Sequence, residues 1–155
     1  MNEYLTLIVP LFDRHILTDR VLSSLDKQKC EFKIIVADGS FEKFEDEEIE
    51  YKNLDIEYFY DEPDCDMQKF MQKMSRAVKR VKTPFCMIFD NDDLIDLSGI
   101  RNGLQFMSNH PDYSCYQNDV RTLEVHPEIT LKESLYQNES IEQDSPIKRL
   151  NDVVS

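Results

Sequence analysis

"FCMIFDNDDL", Phe85 to Leu94, runs five uncharged residues straight into three aspartates within four positions. The apolar half reads as a buried strand and the acidic half as the turn that ends it. Carboxylates crowded at the end of a hydrophobic strand lose hydration and repel one another, which favours their protonated forms unless something positive sits beside them. What supplies that positive charge decides what the turn is for.

The flanking chain places this strand in a series. Ahead of it, Met67, Phe70, Met71, Met74, Ala77, Val78 and Val81 recur at helical spacing, which predicts a helix whose methionine stripe packs in the core. That helix must stop near Lys82, because Pro84 cannot continue it and pushes Thr83 towards extended geometry. Further upstream, "YLTLIVPLF" (Tyr4 to Phe12) and "FKIIVADGS" (Phe32 to Ser40) are nearly continuous apolar runs, the pattern of strands buried on both faces. Between them Ile16, Leu17, Val21, Leu22 and Leu25 predict a helix over 16–28, and "IEYFY" (Ile56 to Tyr60) is a short third strand. Beyond the acidic turn, a helix is expected over 98–109 and a fifth strand over Tyr113 to Gln117. From Leu123 the chain is polar, with short strand-like pieces of no strong period.

Strands alternating with helices specify an α/β fold, a mostly parallel sheet flanked by helices. Right-handed crossovers bring the strand ends to one edge. Asp13, Asp38 and the run Asp90 to Asp93 all fall there, the edge outside which open α/β sheets bind ligands.

Composition bounds the function. The chain has 155 residues, 41% hydrophobic and 32% charged, with seven Tyr and nine Phe, enough for one ordinary folded domain. Its net charge of -13 argues against general binding of nucleic acid or anionic membranes. No apolar run approaches the roughly 20 residues of a membrane span, and the start "MNEYLTLIVP" lacks the basic region of a signal peptide, so a cytoplasmic protein is expected. Cys30, Cys65, Cys86 and Cys115 form no C-x-x-C pair, which argues against structural zinc and a disulfide framework. The three histidines are scattered, the acidic stretch "FEDEEIE" reads as a solvated face, and the glycosylation sequon at Asn138 reads as a chance match.

Two readings of Asp90-Asn91-Asp92-Asp93 stand side by side. Asp and Asn are favoured turn residues, so a solvated turn accounts for the motif. Alternatively, oxygen ligands at this spacing suit a hard ion, Mg²⁺ or Mn²⁺, which binds through one or two carboxylates together with substrate phosphates. A calcium loop is excluded, because Leu94 and Ile95 stand where that loop needs an Asp or Asn and then Gly.

Taken in order, "LTLIVPLFDR", "FKIIVADGS" and "VKTPFCMIFDNDD" after an amphipathic helix resemble the nucleotide-sugar half of GT-A fold glycosyltransferases, in particular glycosyltransferase family 2, over about Leu5 to Gln117. The resemblance implies a Rossmann-like nucleotide-sugar-binding (GT-A) half over 1–122, with the polar extension 123–155 beginning an acceptor-side region. It implies an inverting transfer of a sugar from a nucleoside-diphosphate sugar to an acceptor hydroxyl that no residue pattern specifies. Asp90 and Asp92 then stand in the acidic positions of the DxD motif as ligands of Mn²⁺ or Mg²⁺. Pro10, Leu11 and Asp13 match the first, base-cupping loop, Asp38 matches an acid that holds the nucleoside, and Asn91 lies within the donor motif.

The chain also departs from that pattern. The paired acids before Gly-Ser are here Ala37 and Asp38, and the usual A-R-N segment reads "KMS", leaving Lys73 or Arg76 as diphosphate partners. No catalytic base is identified, although Glu142 and Asp144 are candidates. A nucleotidyltransferase should carry a glycine-rich loop near the first strand, whereas the only glycines are at 39, 99 and 103; a receiver domain should carry its paired acids after strand one. The remaining alternative is a non-catalytic nucleotide-binding or interaction module.

Overall fold

The structure, a computed structural model, describes residues 2–44, 51–117, 120–125 and 131–136. The acidic run from Glu45 to Glu50, His126, the sequon at Asn138, and the candidate bases Glu142 and Asp144 lie outside the described residues. The chain divides into two compact units, Met1–Leu104 and Gln105–Ser155.

The first unit is built on a four-stranded, all-parallel sheet in the order β3-β2-β1-β4, from β1 (Asn2–Leu11), β2 (Phe32–Asp38), β3 (Asp55–Tyr60) and β4 (Phe85–Ile88). Helices α1 (His15–Lys27), α2 (Met67–Arg80) and the start of α3 (Leu97–Asn109) flank it. This is the α/β arrangement expected from the apolar runs, and it is Rossmann-like, as the resemblance implied. Because side chains alternate along a strand, Leu5, Leu7, Val9 and Leu11 of β1 join Phe32, Ile34 and Val36 of β2 in one core with Val21, Leu22 and Leu25 of α1 and Leu97 of α3. On the opposite face Ile8, Ile35 and Ala37 pack with Met74 and Ala77 of α2. Each central strand is therefore apolar at consecutive positions because both of its faces are covered.

Two features differ from expectation for one geometric reason. β4 is an edge strand, not a fully buried one: Cys86 and Ile88 are exposed, since the α2 cluster gathers over β1 and β2 and includes neither. Likewise only part of the methionine stripe is core. Met74 is buried, but Met67 and Met71 are exposed on the outer side of α2. The helix itself ends as expected, with Val81 already extended and Thr83 Oγ1 bonded to the carbonyl of Phe85.

β4 leaves the sheet early. It pairs with β1 only from Leu5↔Phe85 to Ile8↔Ile88, followed by one bond from Phe89 N to the Ile8 carbonyl, whereas β1 stays paired with β2 as far as Leu11↔Asp38. The last three residues of β1 therefore have β2 on one side and a diverging chain on the other.

The exposed edge strand β3 carries charge, as edges that resist strand addition do. Glu57 accepts from Lys33 at 2.6 Å and from Arg80 at 2.9 Å. The Lys33 hydrogen bond, with Arg80 behind it, holds the Glu57 carboxyl below the ordinary glutamate range. A depressed carboxylate pKa stabilises the fold above the unfolded-state value of about 4.3, and that contribution is lost as pH falls through the folded value. Glu57→Gln should therefore cost about 0.5–1 kcal/mol at pH 7, discounted for partial exposure. Urea denaturation across pH should show the gap between parent and variant closing below about pH 4; a pH-independent gap contradicts the ionic assignment.

In the second unit the expected strand over Tyr113 to Gln117 is absent. Instead Phe106 collects the rings of His110, Tyr113 and Tyr116, with centroids at 4.4, 5.2 and 5.5 Å. Drawing residues three apart onto one ring is incompatible with the two-residue alternation of a strand. The strands of this unit are β5 (Val120–Val125) and β6 (Leu131–Tyr136), an antiparallel pair running from Val120↔Tyr136 to Val125↔Leu131.

Candidate functional site

Where β4 diverges from β1, at the carboxyl ends of both strands, lies a cavity of about 210 Å³ lined by Pro10, Leu11, Phe12, Arg14, Asp64, Phe70, Lys73, Asp90 and Asn91. It is smaller than the roughly 300 Å³ at which small-molecule pockets begin, so it has room for part of a nucleotide. Five sequence-predicted positions meet here: Pro10, Leu11, Lys73, Asp90 and Asn91.

The acidic turn is fastened to α1. Asn91 is buried and donates its Nδ2 to Thr18 Oγ1 at 2.9 Å, while Arg20 Nη2 donates to the Asp92 carbonyl at 2.7 Å. Arg14 Nη1 reaches Asp92 Oδ2 at 2.5 Å. Part of the positive charge that the three aspartates call for is thus present in the protein itself, on Arg14 at the N-cap of α1, while Arg20 holds the turn's backbone. Among the described residues Asp93 has no such partner, and partial desolvation first, then the charges of Asp92 and Asp90, push its carboxyl above the ordinary aspartate range.

Lys73 is fully buried under the cavity. Its Nζ donates to the Leu11 carbonyl at 3.0 Å and pairs with the carboxylate of Asp64, so its charge is already matched by the protein. Asp64 Oδ1, also buried, has no hydrogen-bond partner among the described residues. A buried carboxylate oxygen left bare is costly, and here it belongs to a residue that lines the cavity.

Four predicted residues are not among those lining the cavity: Asp92, paired with Arg14, and Asp38, Asp13 and Arg76, which serve the loops around it. Asp38 is buried and accepts from Ser40 N at 2.9 Å, Phe44 N at 3.0 Å and Tyr58 Oη at 2.6 Å. Burial, and then this hydrogen bond to Asp38, push the Tyr58 phenol well above its ordinary range. Asp13 sits at φ 52°, a left-handed conformation that Asp tolerates. Its N–H donates to Ser40 Oγ and its Oδ1 accepts from Phe41 N. Arg76 is paired with Asp61.

Sequence reasoning missed Arg14, Arg20, Asp64, Phe12 and Phe70. The signal for Asp64 was available: Lys73 interrupts the buried stripe of Phe70, Met74 and Ala77, and a charge there requires a buried partner. Among the described residues no group of three or more His, Cys, Asp or Glu is placed to hold a metal ion. The donor chemistry fits one nonetheless, since two carboxylates on one turn, completed by substrate phosphate and water, are a common set for Mg²⁺. No helix among the described residues is long and apolar enough to cross a membrane.

No protein-family model and no curated protein sequence matches the chain. Among solved structures, the fold is similar to that of S. aureus TarS, a glycosyltransferase, with a TM-score of 0.55 and 22% identity over 70% of this chain and 20% of that one. A structure of S. aureus TarS 1-349 gives a TM-score of 0.52 and 21% identity over 70% of this chain and 33% of that one. Identity this low speaks for the fold alone: the chain has a glycosyltransferase-like fold and spans a fifth to a third of the length of these neighbours.

Proposed function

We propose that this chain is the donor-binding half of a family 2-like glycosyltransferase, which transfers a sugar from a nucleoside-diphosphate sugar to an acceptor hydroxyl with inversion, in the cytoplasm. The observation that carries this reading is the convergence of Pro10, Leu11, Lys73, Asp90 and Asn91 on one cavity, at the carboxyl ends of a parallel sheet with a glycosyltransferase-like fold.

In this reading Pro10, Leu11 and Phe12 wall the nucleoside end, and Asp13 and Asp38 hold the loop beside it. Asp90 and Asp92 would hold Mn²⁺ or Mg²⁺, with Asn91 fixing the turn between them through Thr18. A divalent ion there supplies Lewis-acid neutralisation of the leaving nucleoside diphosphate. Lys73, its charge matched by Asp64, sets the floor of the cavity, and Arg76 is the remaining diphosphate partner, in exchange for Asp61. The acceptor hydroxyl attacks the anomeric carbon from the face opposite the leaving group and yields its proton to a carboxylate base.

Ligand binding only to the folded chain raises its stability, by about 2.7 kcal/mol at a hundred times Kd. A thermal-shift screen of nucleoside diphosphates should therefore identify one base whose shift grows when Mn²⁺ is added. Asp92→Ala should abolish the Mn²⁺-dependent part while keeping a smaller, metal-free shift. An undiminished response in that variant removes Asp92 from the ligand set. The second reading, a nucleotide-binding module without turnover, draws on the absence of a carboxylate base among the described residues lining the cavity other than Asp64 and Asp90, which already have roles in it. Release of nucleoside diphosphate from the matching nucleotide sugar separates the two, because the module binds and does not turn over.

A further inference from the structure

The shape of the acidic turn and the neutralisation of its charge depend on different residues. Its backbone is held by Arg20 on the Asp92 carbonyl, by Asn91 on Thr18 and by the bond from Asp93 N to the Asp90 carbonyl. Among the described residues the Arg14 guanidinium pairs with the Asp92 carboxylate alone, and the two side chains are 59% and 38% exposed. Arg14 is the N-cap residue of α1, yet its side chain makes no capping bond, so the helix makes no claim on the guanidinium. The same residue lines the cavity beside Lys73, Asp90 and Asn91. One exposed cation therefore pairs with a carboxylate and also lines the cavity.

We propose that Arg14 is an exchangeable counter-ion, which occupies Asp92 in the ligand-free chain and turns to the diphosphate of the donor when a divalent ion takes that carboxylate. The proposal rests on the donor-site reading above. A solvent-exposed arginine–carboxylate pair is weak enough to be exchanged. A guanidinium also presents parallel N–H donors that match two phosphate oxygens. Linkage then requires opposite signs: Arg14 opposes the metal in the absence of an anion, and supports the metal-bound diphosphate once the anion is present.

Calorimetric titration of Mn²⁺ alone, and of inorganic pyrophosphate in the presence of Mn²⁺, tests both signs on the full chain and on Arg14→Gln and Arg14→Lys. Arg14→Gln is expected to bind Mn²⁺ alone about two- to fivefold more tightly, the scale of an exposed ion pair. The same variant should bind pyrophosphate with Mn²⁺ about three- to tenfold more weakly. Arg14→Lys keeps the charge and should stay within about twofold of the parent for Mn²⁺ alone, while losing part of the pyrophosphate affinity because an ammonium has no planar fork. Mn²⁺ affinity that is unchanged or lower in Arg14→Gln overturns the exchange, as does pyrophosphate affinity equal to the parent's. If the parent chain binds neither Mn²⁺, pyrophosphate nor any common nucleoside diphosphate, the donor-site reading falls and the exchange with it. If the parent binds them and Arg14→Gln behaves identically, only the exchange is lost.

Discussion

Lys73→Met is expected to destabilise the fold by about 3–5 kcal/mol, the largest effect of any single change considered, because it strands a buried carboxylate. Lys73 has no exposed surface, and its partner Asp64 has a side chain only 6% exposed. With the ammonium gone, Asp64 keeps neither its salt-bridge partner on Oδ2 nor, among the described residues, any hydrogen bond on Oδ1. The Leu11 carbonyl loses one of its two donors as well, keeping the Gly39 N–H. Methionine refills most of the volume, so the loss reports electrostatics and hydrogen bonding and not a cavity. Replacing both partners by apolar residues is often close to neutral, so Lys73→Met with Asp64→Leu should recover most of the stability. Urea denaturation of the parent, the single and the double variant measures this. A single-variant cost below about 1 kcal/mol, on the scale of exposed pairs, contradicts the buried ion-pair assignment.

Gly39→Ala is expected to cost about 1–3 kcal/mol, an overpacking penalty directed at the same carboxylate. A Cβ on Gly39 meets the carboxyl carbon and both oxygens of Asp64 at 2.6–2.7 Å. Asp64 has nowhere simple to retreat, since Lys73 holds its side chain and its own N–H donates to the Gly39 carbonyl at 2.8 Å. Gly39 does not have positive φ, so the requirement for glycine here is space and not backbone conformation. In an Asp64→Ala background the same change should cost well under about 1 kcal/mol, and the double-mutant cycle isolates the contact. Equal costs in both backgrounds place the difficulty elsewhere.

The sheet was legible because its signals are local. Residues 4–12 and 32–40 are apolar at consecutive positions since each strand is covered twice, and Pro84 marks the end of α2 within a few residues. What sequence could not show was which strand lies at an edge, and that is why the pattern places β4, Met67 and Met71 in the core. The acids after β1, β2 and β4 were legible for the same local reason, as turn residues at strand ends. Their partners were not, because folding brings Arg14 and Arg20 to Asp92 from 78 and 72 residues away. Asp38 is a further case: its carboxylate accepts from three protein donors, Ser40 N, Phe44 N and Tyr58 Oη, of which only Ser40 is a near neighbour in sequence.

The early departure of β4 has an architectural corollary. Since β1 keeps its β2 neighbour to Leu11 but loses β4 after Ile8, the hollow beside Pro10 and Leu11 is a fork in the backbone ladder. Substituted side chains can narrow or widen its mouth, but its existence is written into strand register. Descendants of this chain could change the molecule they grip many times over by trading residues on the prongs, and would abolish the gap only by zipping the prongs together.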